Sequence, residues 1–449
     1  MLIKKKASSV FQFLATIATL AVIVALGSTN PAAAEGVTSW DDLVAKAASG
    51  QNDLTVTGNL TLDEQSKPLV VPAGAELTLK GKGSTVTGKN KTAVEVKSGG
   101  KLNLEGPNFT KTQFTVNGDL NFSAGSIHDS DPAGPVIFVD GGNFTMSGTA
   151  DFSKNTAPEK KNINKVAPEG VDIDKFAPIT IHNGTATING GTIKENKGSR
   201  LGGAIAIMGS EAKRASLDIK GGEIANNKVE VNSSGYGGAI FGEYTDVNIS
   251  SGNVHDNFTE YGGALTLFSG SLNISGGNVQ KNQNNMKYKG TGGALFLNRV
   301  KTKISGGTFK GNVGSDKGGG AIRIQNSDLQ ISGGTFSGNQ TRGWGGALMT
   351  IGGSLIINGG DFSDNQADNW GGAIDVNGGP VTINSGSFTG NTAGESGGAI
   401  SLSGGTKKWD GSQTVINGGG ISQTILRKAF GAAAPFIMTL SRNSPLITL

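Results

Sequence analysis

In "GGAIAI", "GGALTL" and "GGAIDV", apolar side chains occupy every second position, so one face of each run is apolar. The pairs Ile205/Ile207, Leu265/Leu267, Leu295/Leu297, Ile322/Ile324, Ile374/Val376 and Ile400/Leu402 repeat this alternation, and only Gly242 and Thr350 interrupt its second position. A period of two in runs this short predicts half-buried strands rather than helices. Two further series run beside it. The motif I-x-[GS]-G begins at Ile188, Ile219, Ile249, Ile274, Ile304, Ile331, Ile357, Ile383 and Ile416. A bulky apolar residue stands three before an Asn at Ile193/Asn196, Ile224/Asn227, Val254/Asn257, Val279/Asn282, Phe309/Asn312, Phe336/Asn339, Phe362/Asn365 and Phe388/Asn391.

The G-G-A motif opens at Gly202, Gly237, Gly262, Gly292, Gly319, Gly345, Gly371 and Gly397, with spacings that settle to 26 residues. Three short strands per repeat, with the same positions recurring, predict an all-β fold: a parallel β-helix in which each strand pairs with its counterpart one coil away, about 4.8 Å distant. Glycine serves the corners. Asn312, Asn339, Asn365 and Asn391, with the earlier members of their series, are expected to stack as an amide ladder along one corner.

The N-terminal text is looser but of the same kind. "TSWDDLVAKAASG" (Thr38–Gly50) reads as an amphipathic helix with Ser39 as N-cap and Gly50 as stop. Its face of Trp40, Leu43, Val44 and Ala47 is expected to plug the open end of the solenoid, so the fold is a β-helix with an N-terminal capping helix. Alternating runs such as "DLTVTGNLTL" and "QFTVNGDLNF" carry the first coils to residue 155, with "FSKN" (Phe152–Asn155) the first good match to the Asn corner. A Lys- and Pro-rich insertion spans 156–178, the repeats run over 179–420, and 421–449 reads as a non-repeat tail, either a cap or a truncated end.

Residues 1–34 look like an export leader. Lys4, Lys5 and Lys6 precede an uncharged apolar run, and small residues at Ala32 and Ala34 place cleavage after Ala34. Without it, 36 basic residues stand against 35 acidic ones, since three of the 39 Lys and Arg belong to the leader. A balance near +1 argues against nucleic acid as a partner, and no membrane-spanning segment is expected in the mature chain. With no Cys, disulfides and thiolate metal sites are excluded.

Catalysis on such a scaffold needs carboxylates, or an acid cluster with a basic residue, at equivalent outward positions of adjacent coils. The middle position of the G-G-A strand reads Ala206, Phe241, Thr266, Phe296, Arg323, Met349, Asp375 and Ser401. One Arg and one Asp, two coils apart, make no dyad. His128, His182 and His255 share no spacing, so neither a metal nor another cofactor is expected. The residue before G-G-A is aromatic at Tyr236, Tyr261, Trp344 and Trp370. Trp344 and Trp370 lie in consecutive coils, where they could form an apolar strip that stacks on a sugar or a partner, or simply shield a corner.

"GGAI" at Gly202–Ile205, Gly237–Ile240, Gly371–Ile374 and Gly397–Ile400, combined with "FSGN", "FSDN" and "FTGN" from Phe336, Phe362 and Phe388, resembles the repeats of the chlamydial polymorphic outer-membrane protein family. The resemblance covers about residues 188–420. It implies a right-handed parallel β-helix of an autotransporter passenger, at the cell surface or secreted, adhering to host-cell or extracellular glycan or protein ligands. Val37–Gly88 separately resembles the pectate-lyase-like adhesive module of bacterial surface proteins. The alternative that the fold leaves open is a polysaccharide lyase or glycoside hydrolase; no catalytic residues are assigned.

Overall fold

The computed structural model describes residues 36–157, 177–229, 235–284, 290–403, 414–417, 420–421, 425–428 and 436–438. The expected leader, most of the 156–178 insertion and much of the 421–449 tail lie outside them. The described chain winds into an all-β parallel solenoid of about 12 turns.

Parallel pairing keeps each motif in register. Ile322 pairs with Leu348, Leu348 with Ile374 and Ile374 with Ile400. Ile304, Ile331, Ile357 and Ile383 form the second column, and Phe309, Phe336, Phe362 and Phe388 the third. All these side chains are buried. The phenyl rings stack face to face 4.6–4.8 Å apart and within 5° of parallel. Identical side chains one strand spacing apart thus make the core a set of columns, and each coil buries its edge only against its neighbours.

The Asn column is the polar counterpart. The residue before each Asn takes positive φ, between 52° and 64° from Glu195 to Gly390, which turns the chain and aims the amide inward. The Asn312 backbone N–H and Nδ2 each donate to Asn339 Oδ1 at 3.0 Å. Asn339 Nδ2 donates to Phe309 O in the coil before and to Asn365 Oδ1 in the coil after, both at 2.9 Å. The same pattern links Asn196 through Asn282, so a fully buried amide uses both of its hydrogens and both lone pairs.

The ladder begins earlier than the Asn motif. Lys111 and Asp129 take the positive φ. Thr112 N–H donates to Ser130 Oγ, and Ser130 N–H to Asn155 Oδ1, each at 3.1 Å. The Ser130 hydroxyl therefore takes the part of the ladder amide at this corner, while the Thr112 hydroxyl has no hydrogen-bond partner among the described residues.

At the N-terminal end the helix Trp40–Ala48 packs on the first strands, with Ser39 Oγ accepting from the Asp42 N–H at 3.2 Å. Trp40 and Leu43 are buried, and Trp40 Nε1 donates to Lys67 O at 2.8 Å. At the other end the pairing continues beyond the repeat text. Ile425–Lys428 lies parallel to Ile400–Ser403, and Phe436–Met438 to Thr414–Ile416.

Candidate functional site

After each ladder Asn the chain forms a two-residue strand and then runs to the next G-G-A. We term this connection the strap. The two-residue strands, from Lys197–Gly198 to Thr392–Ala393, pair into a second, eight-stranded ladder. The G-G-A glycines admit the strap. A Cβ on Gly320 would run into Gly346 O and lie 2.6–2.7 Å from the backbone of Gln340, the first strap residue of that coil. The first glycine, Gly319, takes φ +74°.

The straps correct one sequence-based expectation. Ala206, Phe241, Thr266, Phe296, Arg323, Met349, Asp375 and Ser401, assigned to an outward face, are all buried. Strap residues bond directly to this face. Thr266 Oγ1 donates to Tyr261 O at 2.7 Å, and Arg323 Nη1 donates to Thr291 Oγ1 at 2.9 Å and Lys317 O at 2.5 Å. Alternation distinguishes the two faces of a strand, but not a solvated outer face from one covered by another segment.

Arg323 and Asp375 are therefore sealed rather than poised for chemistry. They flank Met349 in register, one coil to each side. Burial lowers the Arg323 guanidinium to about 10. Burial also raises the Asp375 carboxyl to about 7, with a Ser401 hydrogen bond only partly offsetting it. Asp375 Oδ1 and Arg323 Nε have no hydrogen-bond partner among the described residues.

The histidines stay apart, each beside its own acid. His128 Nδ1 lies 2.7 Å from Asp129 Oδ2, and His182 Nδ1 2.8 Å from Asp140 Oδ1. His255 contacts Asp256 and Glu223. Among the described residues no group of three or more His, Asp or Glu could hold a metal ion. No helix among them is long and apolar enough to cross a membrane.

The four aromatics before G-G-A lie on the straps and are half-buried. Tyr236 and Tyr261 stack at 4.9 Å with 22° between their planes. Phe241, Phe268 and Phe296 extend this pair into one cluster, with ring centroids 5.5–6.5 Å apart. Sequence reasoning took Phe241 and Phe296 one at a time and missed Phe268. Their recurrence at and just after the middle of the G-G-A strand was the available signal. Trp344 and Trp370 meet at 6.2 Å and 40°, a faceted pair rather than one plane. Trp344 Nε1 has no hydrogen-bond partner among the described residues.

The family model of the Chlamydia polymorphic membrane protein repeat matches residues 360–377 and 385–403, so these stretches are similar to that repeat. Each matched stretch runs from the Phe strand through the ladder Asn and the strap into the G-G-A strand, a narrower span than the whole repeat array. Proteins of that family are surface-exposed autotransporters of the outer membrane, and the repeat is that of their β-helix passenger. No curated protein and no solved structure matches the chain.

Proposed function

We propose that the chain is an exported β-helix adhesion module that holds out strap residues to a glycan or protein ligand on a host cell or in its surroundings. Export would remove residues 1–34. One observation carries the reading: Tyr236 with Tyr261, and Trp344 with Trp370, form two half-exposed aromatic pairs on the straps. Rigid, partly exposed aromatic side chains supply binding area at small entropic cost. The enzymatic reading lacks support, because its two charged candidates are buried beneath the straps.

The test uses the purified chain on immobilised glycans, extracellular-matrix proteins and host cells, with reducing ends and unsaturated products measured alongside retention. Retention without product, lost in a Trp344→Ala/Trp370→Ala double variant that melts like the parent, is the expected result. Product formation from any glycan would overturn the proposal, as would failure to be retained by anything on the panel.

A further inference from the structure

On the straps that lead to the tryptophan pair the outer surface is indented. An open depression crosses three coils and is lined by Val313, Gly314, Gln340, Thr341, Arg342, Gln366 and Asp368. Val313, Gln340 and Gln366 occupy one column of the strap ladder, in direct register. The two Gln side chains are exposed, as are Arg342 and Asp368. Trp344 follows Arg342 by two residues, and Trp370 follows Asp368 by two.

The walls are held rigidly. Thr341 Oγ1 donates to Ser315 O at 2.8 Å and accepts from the Gly343 N–H at 3.1 Å. The neighbouring straps are tied together by Asp368 N–H to Thr341 O and Asn369 N–H to Gly343 O, both at 3.1 Å, and by Gly345 N–H to Trp370 O at 2.9 Å. Arg342 thus projects from a turn bonded on both sides, so little backbone freedom remains to be lost on binding.

We infer that this depression is a binding site for an uncharged linear glycan lying along the solenoid axis, about one sugar ring per coil. The site deepens the adhesion reading and rests on it. Carboxamide, guanidinium and carboxylate groups are planar and can each engage two neighbouring sugar hydroxyls. Their charges balance, one Arg against one Asp, so nothing in the lining selects a polyanion. Gln340 and Gln366 repeat at the strand spacing of about 4.8 Å, close to the length of one sugar ring with its linkage. The half-exposed indoles downstream offer faces on which the apolar side of a sugar can stack.

The experiment titrates the full chain with neutral hexasaccharides (β-1,4-glucan, β-1,4-mannan and α-1,4-glucan) and with oligogalacturonate as the acidic comparison. Tryptophan fluorescence and calorimetry are the readouts. At least one neutral hexasaccharide should bind, with affinity changing less than about twofold between 0.05 and 0.5 M salt. Gln340→Ala/Gln366→Ala should weaken it at least about tenfold, the loss of one or two hydrogen bonds. These exposed side chains should leave the melting temperature unchanged. Binding of oligogalacturonate alone, or unchanged affinity in the double variant, overturns the site. If the chain is retained on cells or matrix protein while no neutral glycan binds, the site falls and the adhesion reading stands. If nothing is retained, both fall.

Discussion

Replacing Asn339 with alanine isolates the contribution of the buried amide ladder. The side chain makes four hydrogen bonds in three coils: two received from Asn312, one given to Phe309 O and one given to Asn365 Oδ1. Its own backbone N–H still reaches Asn365 Oδ1 in the variant, so that oxygen keeps a donor. Two groups do not recover, the Asn312 N–H and one Asn312 Nδ2 hydrogen, whereas the Phe309 carbonyl stays within the parallel ladder to the next coil. Both are buried, and an unsatisfied buried group costs about 1–3 kcal/mol, so the expected loss is about 2–5 kcal/mol after partial relaxation. Because coils couple mainly to nearest neighbours, the damage should be local. Hydrogen exchange should accelerate across residues 309–345 and stay at parent rates in the coils before 250. Asn339→Asp sharpens the test, since at neutral pH its carboxylate would face Phe309 O and Asn365 Oδ1 with no hydrogen to donate. That variant should be less stable than Asn339→Ala at pH 7 and regain stability as acid protonates it. If Asn339→Ala exchanges like the parent, or the acid dependence is absent, the ladder is not the support described here.

Asp375 gives a pH prediction. Its folded-state pKa is raised from 3.8 to about 7, so its contribution is fully present below pH 3.8 and is lost as pH rises toward 7. The full shift corresponds to at most about 4 kcal/mol; in urea titrations Asp375→Asn should gain on the parent at pH 8 relative to pH 5, and an unchanged difference would refute the assignment. Gly346→Ala would drive a Cβ into Gly372 O and the Gln366 backbone, so it should cost at least about 3 kcal/mol and release the strap, read as faster exchange at 366–370. Gly338→Asn sits at φ +60° with nothing near its Cβ, where other coils carry Asn226 or Asp364, and should change stability by less than about 1 kcal/mol. Phe336→Ala removes the centre of a stack of four phenyl rings and should cost about 3–5 kcal/mol, more than Thr335→Ala beside it on the outer face.

The coil was legible because its physical requirements repeat with its text. Ile331, Phe336 and Gly345 each recur at a fixed offset, and parallel pairing converts equal offsets directly into columns. Where chemistry substituted for identity, the reading stopped short. Thr112 and Ser130 occupy the same corner position as Asn155, with the Ser130 hydroxyl alone taking the amide's part, and a hydroxyl does not spell the motif. The shared element was the preceding αL residue, Lys111 or Asp129, whose φ the sequence does not announce. The covered outer face was hidden for a different reason. A strand's alternation separates its two sides, and a strap folding back over one of them depends on backbone clearance at Gly320 and Gly346. Phe241, Phe296 and Met349 at the supposedly exposed position were the hint that the face is not solvated.

Covering that face also decides where recognition can be built. The three core columns and the Asn corner are constrained in every coil, because a change there orphans a buried group or breaks a stack. The middle of the G-G-A strand, where a groove enzyme of this architecture would set its charges, is sealed by hydrogen bonds such as those from Arg323 to Thr291 and Lys317. What remains free to vary at little cost is the outer surface of the straps: Gln340, Arg342, Gln366 and Asp368 expose their side chains while the backbone beneath them stays paired. The straps are also where the aromatic pairs stand. A scaffold that fixes its frame by repetition and leaves one face open to substitution suits binding, since a ligand can be matched by changing exposed residues without disturbing any column.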